Sequence, residues 1–227
     1  MPCLVLPGGT DIAEVGLFSL EALPIKRGVT SEVLEELQRN SQLIRMSTGA
    51  DGGYLLHAYV DEPIPPDLMR YCSHADKLAG VFQTETGNVA FGGLESAFGG
   101  FKSNPAIRSD GAIPPGRYTY AGYQIDFPDE LVSADIYSGL SKNERRFLAT
   151  PAPVGIVAFF AVVVAMASQL FLIAAILVVT SVVAIRAIVR STKYRDLTKK
   201  RTERALKYPS IVIELRSNND SGDRGSG

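Results

Sequence analysis

The segment Cys72-Ser73-His74-Ala75-Asp76 contains the side chains of this sequence that come closest to a catalytic or metal-binding group. A cysteine and a histidine can bind zinc together, or act as a nucleophile and its base. Alternate residues of a loop rarely point at one ion, however, and the sequence has no second Cys or His pair to complete a tetrahedral site. We therefore predict no metal ion and no cofactor, and an enzyme that uses Cys72, His74 and Asp76 is a minor alternative.

Two acidic pairs and one glycine-rich stretch are the remaining candidates for chemistry. Asp61-Glu62 and Asp129-Glu130 are more typical of solvated faces or helix starts than of acid/base pairs, which need a defined spacing across a cleft. The stretch 91–105, FGGLESAFGGFKSNP, lacks the Gly-Lys-Ser/Thr sequence of a phosphate-binding loop and predicts a flexible, partly apolar loop. The sequence therefore predicts no catalytic residues.

Charge is distributed unevenly along the chain. Residues 1–150 contain 12 Lys/Arg and 19 Asp/Glu, residues 186–227 contain 11 Lys/Arg and 5 Asp/Glu, and residues 151–185 contain none of them. An acidic domain repels phosphate backbones, so we expect no nucleic-acid partner. Two cysteines, Cys3 and Cys72, are too few for a disulfide framework, and the N-terminus does not have the pattern of a secretory signal. Both observations favour a cytoplasmic location for the acidic part.

The uncharged block predicts a membrane segment. Its 32 residues from Val154 to Ile185 have only four polar side chains, those of Ser168, Gln169, Thr180 and Ser181. One helix of this length would be about 48 Å long, against a hydrocarbon core of roughly 30 Å, and would have to tilt strongly. A helical hairpin that breaks near Ser168–Gln169 would have arms of about 21 and 30 Å. Both flanks are basic, and the positive-inside rule therefore favours the hairpin over one long tilted helix.

The basic residues after this block predict a membrane-interface site. Each Lys or Arg near an anionic bilayer surface contributes about 1 kcal/mol of attraction to lipid headgroups. The predicted interface residues are Arg186, Arg190, Lys193, Arg195, Lys199 and Lys200. We therefore expect the bilayer, anionic lipid headgroups and a protein to be the partners. The expected location is the inner membrane, with the soluble domain on its cytoplasmic side.

Residues 1–150 predict a soluble α+β domain with a mainly antiparallel sheet and a few short helices. The predicted strands are Ile12–Phe18, Gln42–Ser47, Tyr54–Val60, Gly80–Thr84, Asn88–Phe91 and Arg117–Ile125. Thr86-Gly87-Asn88 predicts a hairpin turn, and Gly122 a bulge that places Tyr123 on the same face as Tyr118 and Tyr120. The predicted helices are Ser31–Arg39 capped by Thr30, one from Pro128 to about Tyr137, and one that starts with the capping box Ser141–Glu144.

The remaining segments complete the predicted organisation. Residues 151–189 form the membrane segment, and residues 190–207 a basic juxtamembrane helix. Ile211, Ile213 and Leu215 alternate with Val212, Glu214 and Arg216, which predicts a strand at 208–216 that returns to an edge of the soluble domain's sheet. A frayed, solvent-exposed tail is the alternative. Residues 217–227 are disordered by composition.

These features together favour a membrane-anchored, non-catalytic module that binds a protein. The turn placement in segments 46–65, 80–93 and 113–123 resembles that of small bacterial β-rich domains, some of them encoded beside toxin or competence genes. An immunity or regulatory protein is one version of this hypothesis. A pore-forming or bilayer-perturbing protein is a second hypothesis, since alanines in the block would let helices approach closely. A membrane-tethered enzyme is the third.

Overall fold

The computed structural model describes residues 3–26, 30–97, 107–167 and 171–218. Its contacts divide the chain into two compact units. Unit 1 comprises Met1–Phe127 and Tyr208–Gly227, and unit 2 comprises Pro128–Lys207. The predicted α+β class with mainly antiparallel sheets is confirmed. The unit boundary at Pro128 places residues 128–150 with the apolar block, although the sequence assigned them to the soluble domain.

Within the described residues of unit 1, nine strands form two sheets. The strands are β1 Leu4–Thr10, β2 Glu14–Ser19, β3 Leu43–Ser47, β4 Gly52–Val60, β5 Leu78–Thr84, β6 Asn88–Gly93, β7 Arg108–Ala112, β8 Gly116–Gln124 and β9 Ile211–Ser217. The first sheet has the order β1-β4-β9-β8-β5, and the second has the order β3-β2-β6-β7. All neighbouring strands are antiparallel except β4 and β9.

Side chains from both sheets form one hydrophobic core. Leu56, Tyr118 and Ile213 of the first sheet pack with Leu17 and Phe91 of the second, and all five are almost fully buried. Helix α1, Ser31–Arg39, covers the other face of the second sheet with Leu34 and Leu37. This helix has the predicted bounds, although the Thr30 side chain makes no capping hydrogen bond. A short helix α2, Pro66–Met69, lies over the outer face of the first sheet.

The chain's last strand lies inside the first sheet and not at its edge. Ile213 of β9 is opposite Ala58 of β4 on one side and opposite Gly122 of β8 on the other. Ile213 faces the core, and Val212 is fully buried on the opposite face of the sheet. The predicted strand thus does join the sheet of the soluble domain, but between two strands and not at an edge. Strands β4 and β8 are joined through β9. The first sheet is therefore complete only when the chain returns to unit 1 after unit 2.

Three local predictions differ from the structure. Strands β5 and β6, on either side of the turn at Gly87, belong to different sheets, so this turn is an arch between sheets and not a hairpin. Gly87 has a φ of +77°, and a Cβ there would lie 2.2 Å from the Ile113 carbonyl oxygen of the neighbouring arch. No bulge occurs at Gly122, because its pairing with β9 continues without interruption to Gln124. Tyr123 therefore lies on the outer face, away from Tyr118.

Unit 2 is entirely helical in its described residues. Its helices are α3 Asp129–Ser138, α4 Lys142–Ala149, α5 Pro151–Ala167, α6 Phe171–Arg190 and α7 Thr192–Ala205. The predicted capping box is present: the Glu144 N–H donates to Ser141 Oγ, and the Ser141 N–H donates to the Glu144 carboxylate. The predicted break at Ser168–Gln169 lies outside the described residues, as do residues 219–227 of the predicted tail.

Candidate membrane-interface site

Helices α5 and α6 expose most of the large apolar side chains that unit 2 contains. Of the 17 large hydrophobic residues that are exposed in the described chain, 13 lie on these two helices. They are Ile156, Val157, Phe159, Phe160, Val163, Val164, Leu172, Ile176, Val178, Val179, Val182, Val183 and Val189. A contiguous apolar surface of this kind is typical of a protein or membrane contact and not of a surface in water.

The two helices pack side by side and run in opposite directions. Gly155, near the start of α5, lies against Ile185, near the end of α6. One turn further along α5, Val157 and Ala161 line a groove together with Leu177 and Ser181 of α6. At 1.5 Å per residue, α5 is about 25 Å long and α6 about 30 Å, close to the thickness of a hydrocarbon core. We refer to α5 and α6 as the apolar helix pair.

Length and composition mark one helical stretch of the described residues as able to cross a membrane. This stretch is Lys142–Val164, which joins α4 to most of α5. A second crossing is counted only if Ala175–Arg190 and Thr192–Ala205, which meet at a bend of 61°, are taken as one broken span. The transmembrane hairpin is thus not confirmed and stays a prediction.

The predicted interface residues lie around this bend. Arg186 and Arg190 are in the last turns of α6, and the other four are in α7. Ser191 separates the two helices, and its Oγ accepts a hydrogen bond from the Tyr194 N–H, so it caps α7. All six basic side chains are exposed. The structure therefore brings Arg186, Arg190, Lys193, Arg195, Lys199 and Lys200 to one end of the apolar helix pair.

Aromatic side chains accompany the basic ones at this end. The Phe147 ring of α4 packs edge-on against the Tyr194 ring of α7, with centroids 6.2 Å apart. The Lys193 ammonium lies 5.4 Å from the Phe147 ring centroid. Amphipathic aromatics and cations with long apolar stems are the residues that bilayer interfaces favour.

Two arginines connect α3 to the helices beside the apolar pair. The Arg145 guanidinium donates to the Leu140 and Tyr137 carbonyl oxygens at 3.1 and 2.7 Å. The Arg204 guanidinium donates to the Asp135 carbonyl oxygen at 3.1 Å and to Ser138 Oγ at 2.8 Å. The Asp135 and Tyr137 carbonyls lie in the last turn of α3, where cations are favoured by the helix dipole, and Leu140 follows the end of the helix. Neither role is apparent from the sequence, because basic residues near a membrane segment resemble headgroup ligands.

The Cys72, His74 and Asp76 side chains do not form a common site. Cys72 is buried, burial raises the pKa of its thiol, and its Sγ donates to the Leu68 carbonyl oxygen at 3.6 Å. The His74 ring packs edge-on against Tyr123, with centroids 5.7 Å apart, and Asp76 accepts a hydrogen bond from Ser73 Oγ at 2.7 Å. Among the described residues, no group of three or more His, Cys, Asp or Glu side chains is placed to hold a metal ion.

Carboxylates of unit 1 hold its loops and last strand. Asp61 Oδ1 accepts hydrogen bonds from the Ser217 N–H and Oγ at 2.7 and 2.8 Å, and these bonds lower the Asp61 pKa. Burial alone would raise the pKa of Glu21, but the nearby Ser19 hydroxyl and hydrogen bonds from Glu85 and Thr86 bring it down to about 2. These contacts are not apparent from the sequence, because the donors Glu85, Thr86 and Ser217 are distant in the chain from their acceptors.

Comparisons with known proteins give two weak structural likenesses. No family model and no curated protein sequence matches the chain. A structure described as crocagin biosynthetic gene J is 12% identical, with a TM-score of 0.39, over 54% of this chain and 75% of its own. ComJ from Bacillus subtilis, an inhibitor of the DNA-degrading activity of NucA, is 11% identical, with a TM-score of 0.35, over 55% of this chain and 82% of its own. Likeness at this level assigns neither a family nor a function.

Proposed function

We propose that the chain is a membrane-anchored, non-catalytic binding module. In this proposal the apolar helix pair enters the bilayer, and unit 1 remains outside it and binds a protein partner. The exposed apolar surface of α5 and α6 is the observation that carries the proposal. Transfer of such a surface out of water contributes about 25 cal/mol for each Å² that is covered. A bilayer covers the faces of both helices that do not pack against each other, while their backbone groups are hydrogen-bonded within each helix.

Strand order supports two crossings and not one. Strand β9 follows unit 2 in the chain, yet it lies between β4 and β8 of unit 1. Both ends of unit 2 must therefore be on the same side of any membrane that it enters, which requires an even number of crossings. The basic residues on both flanks favour the cytoplasm as that side by the positive-inside rule. A single tilted helix would leave β9 on the opposite side from the sheet that it completes.

The net charges of the two units support a bilayer contact for unit 2 and a protein contact for unit 1. Unit 1 has 11 Lys/Arg and 18 Asp/Glu, a net charge of −7, whereas unit 2 has 12 Lys/Arg and 6 Asp/Glu, a net charge of +6. An anionic bilayer attracts unit 2 and repels unit 1. The acidic surface of unit 1 is therefore available for a partner with a basic surface, because complementary charge accelerates association.

Membrane insertion is tested by carbonate extraction and by cysteine labelling. Full-length protein should stay in carbonate-washed membranes. In a Cys3→Ala/Cys72→Ala background, single cysteines are introduced at Asn143, Ser168 and Asn218. An impermeant maleimide should label only the Ser168→Cys variant in intact cells, and all three after permeabilisation. Labelling of Asn218→Cys but not Asn143→Cys in intact cells would show a single pass and contradict the proposed topology.

Partner binding is tested with a soluble form of unit 1. The Phe127 and Tyr208 rings pack edge-on with centroids 5.2 Å apart, so the two ends of unit 1 are close together. A linker of about five Gly and Ser residues should replace residues 128–207 without strain. We expect this linker-closed unit 1 to capture one partner from cell extract in a salt-sensitive way. The same protein with Ile213→Asp is the control for a disrupted fold, and equal capture by both would refute specific binding.

A further inference from the structure

We infer that the elbow between α6 and α7 binds the phosphate of an anionic phospholipid headgroup. This inference rests on the proposed membrane insertion and adds a defined site to it. The elbow contains a cleft of about 480 Å³. Its lining comes only from the last turn of α6 and from α7: Val189, Tyr194, Arg195, Thr198, Lys199, Thr202 and Glu203.

The side chains of the cleft match the parts of a lipid headgroup. Arg195 and Lys199 are one helical turn apart and supply two cations, and Thr198 and Thr202 supply hydroxyl donors on the same side of α7. Guanidinium, ammonium and hydroxyl groups are the common donors to phosphate oxygens. Val189 is 41% exposed and offers an apolar wall where the acyl chains begin. Glu203 is the one carboxylate in the cleft, and it lies 3.9 Å from the Lys199 ammonium.

The bend places these groups at headgroup depth. Helix α7 leaves the axis of α6 at 61°, so each residue of α7 advances by about 0.7 Å along the direction of α6. Arg195 then lies about 2 Å, and Lys199 about 5 Å, beyond the end of α6. The headgroup layer is about 5–8 Å thick on each side of the hydrocarbon core. A lipid of the adjoining leaflet would therefore fill the inside of the elbow, with its phosphate beside both cations.

The test compares two double variants with the same loss of charge. Arg195→Gln/Lys199→Gln removes the cations of the cleft, whereas Arg201→Gln/Lys207→Gln removes two other exposed cations of unit 2 that do not line it. The full chain is purified in a neutral detergent and titrated with phosphatidylglycerol, and bound lipid is counted by native mass spectrometry. Phosphatidylcholine and inorganic phosphate are the reference ligands.

We expect phosphatidylglycerol to bind the native chain more tightly than phosphatidylcholine does. The cleft variant should lose about fivefold in affinity for each cation, or roughly 25-fold in total, and the matched variant less than about threefold. Thr198→Val/Thr202→Val keeps the charge and should weaken binding severalfold. Equal losses in the two charge variants would refute a defined site, and displacement of the lipid by millimolar phosphate would refute a lipid ligand. The cleft variants should still resist carbonate, so failure of membrane insertion is a separate result.

Discussion

Ile213 of β9 and Leu172 of α6 are similar apolar side chains in opposite surroundings. Ile213 is fully buried in unit 1, whereas Leu172 of unit 2 is 77% exposed. The same contrast holds for the units as wholes: the strands of unit 1 bury their apolar residues against one another, and the apolar helix pair exposes most of its own. Unit 1 therefore has a core of its own, while most of the large apolar side chains of the apolar helix pair are uncovered within the described residues.

The way in which the two units are joined lets unit 1 keep a closed core although unit 2 interrupts it in the chain. Unit 1 is closed by β9, which covers the facing edges of β4 and β8 that would otherwise be open to other chains. Unit 2 leaves and re-enters unit 1 at the neighbouring residues Phe127 and Tyr208. Removal of unit 2 should therefore be tolerated by unit 1, and removal of β9 should not be tolerated.

The largest expected effect comes from shortening the chain. A protein that ends at Thr150 lacks β9, and its first sheet has a gap between β4 and β8. We expect this truncated chain to aggregate or to remain unfolded, as measured by size-exclusion chromatography and amide NMR dispersion. The linker-closed unit 1, which keeps residues 208–218, is the matched control and should be monomeric and folded. A soluble, well-dispersed truncated chain would show that β9 is dispensable.

Matched charge substitutions should separate the two apolar environments. Ile213→Asp places a carboxylate in the core of unit 1 and should cost on the order of 4 kcal/mol of unfolding free energy. Val183→Asp, at a residue that is 60% exposed on α6, should leave the thermal unfolding of unit 1 unchanged. It should instead weaken membrane insertion by about 3 kcal/mol, measured as loss of carbonate resistance. Full resistance in the Val183→Asp protein would argue against burial of α6 in lipid.

A smaller effect is expected from acid. Glu21 has its pKa lowered to about 2 in the folded chain, from an ordinary value of 4.5. Its contribution to stability is therefore complete above pH 4.5 and is lost as the pH falls towards 2. Because Glu21 is exposed, solvent screens its charge, and the contribution is smaller than the shift in pKa alone would give. Glu21→Gln should therefore destabilise the linker-closed unit 1 by about 1 kcal/mol at pH 7, and the difference should disappear near pH 2. The exposed Asp51→Asn is the control, and a difference that persists at pH 2 would contradict a charge effect.

Local patterns in the sequence predicted many helices and strands, but they could not predict which strands pair with each other. The alternation around Ile213 predicted β9 as a strand, and the capping box at Ser141 predicted the start of α4. The central place of β9 depends on contacts with β4, which lies more than 150 residues earlier in the chain. No local pattern encodes such a contact. Burial of Val212 as well as Ile213 is the feature that marks a central strand, and it is visible in the sequence only as an unbroken apolar run.

Strands β1 and β7 were not predicted, and the reason differs between them. Strand β1 contains Pro7, Gly8 and Gly9, which are unfavourable in the interior of a sheet, but β1 is an edge strand, where a proline is tolerated. Strand β7 has no large apolar residue, yet Gly111 lets Leu4 and Leu6 of β1 pack closely against it. The candidate interface was proposed from composition alone, because a run of cations beside an apolar block needs no long-range contact, and it stays a prediction. The elbow at Ser191 could not be predicted from composition, since it depends on the angle between α6 and α7.

The place of β9 also sets an order of events during synthesis. The 86 residues between Gln124 and Ile211 must be translated before the first sheet can close. At about 5–20 residues per second, this takes roughly 4–17 s, and during this time the facing edges of β4 and β8 are not yet paired with β9. We expect the apolar helix pair to leave the ribosome, and to reach the membrane, before unit 1 becomes resistant to protease in a pulse-chase experiment. If unit 2 enters a membrane as proposed, a chain whose helices do not return to the side of unit 1 cannot place β9 between β4 and β8. Closure of the first sheet would then require correct insertion.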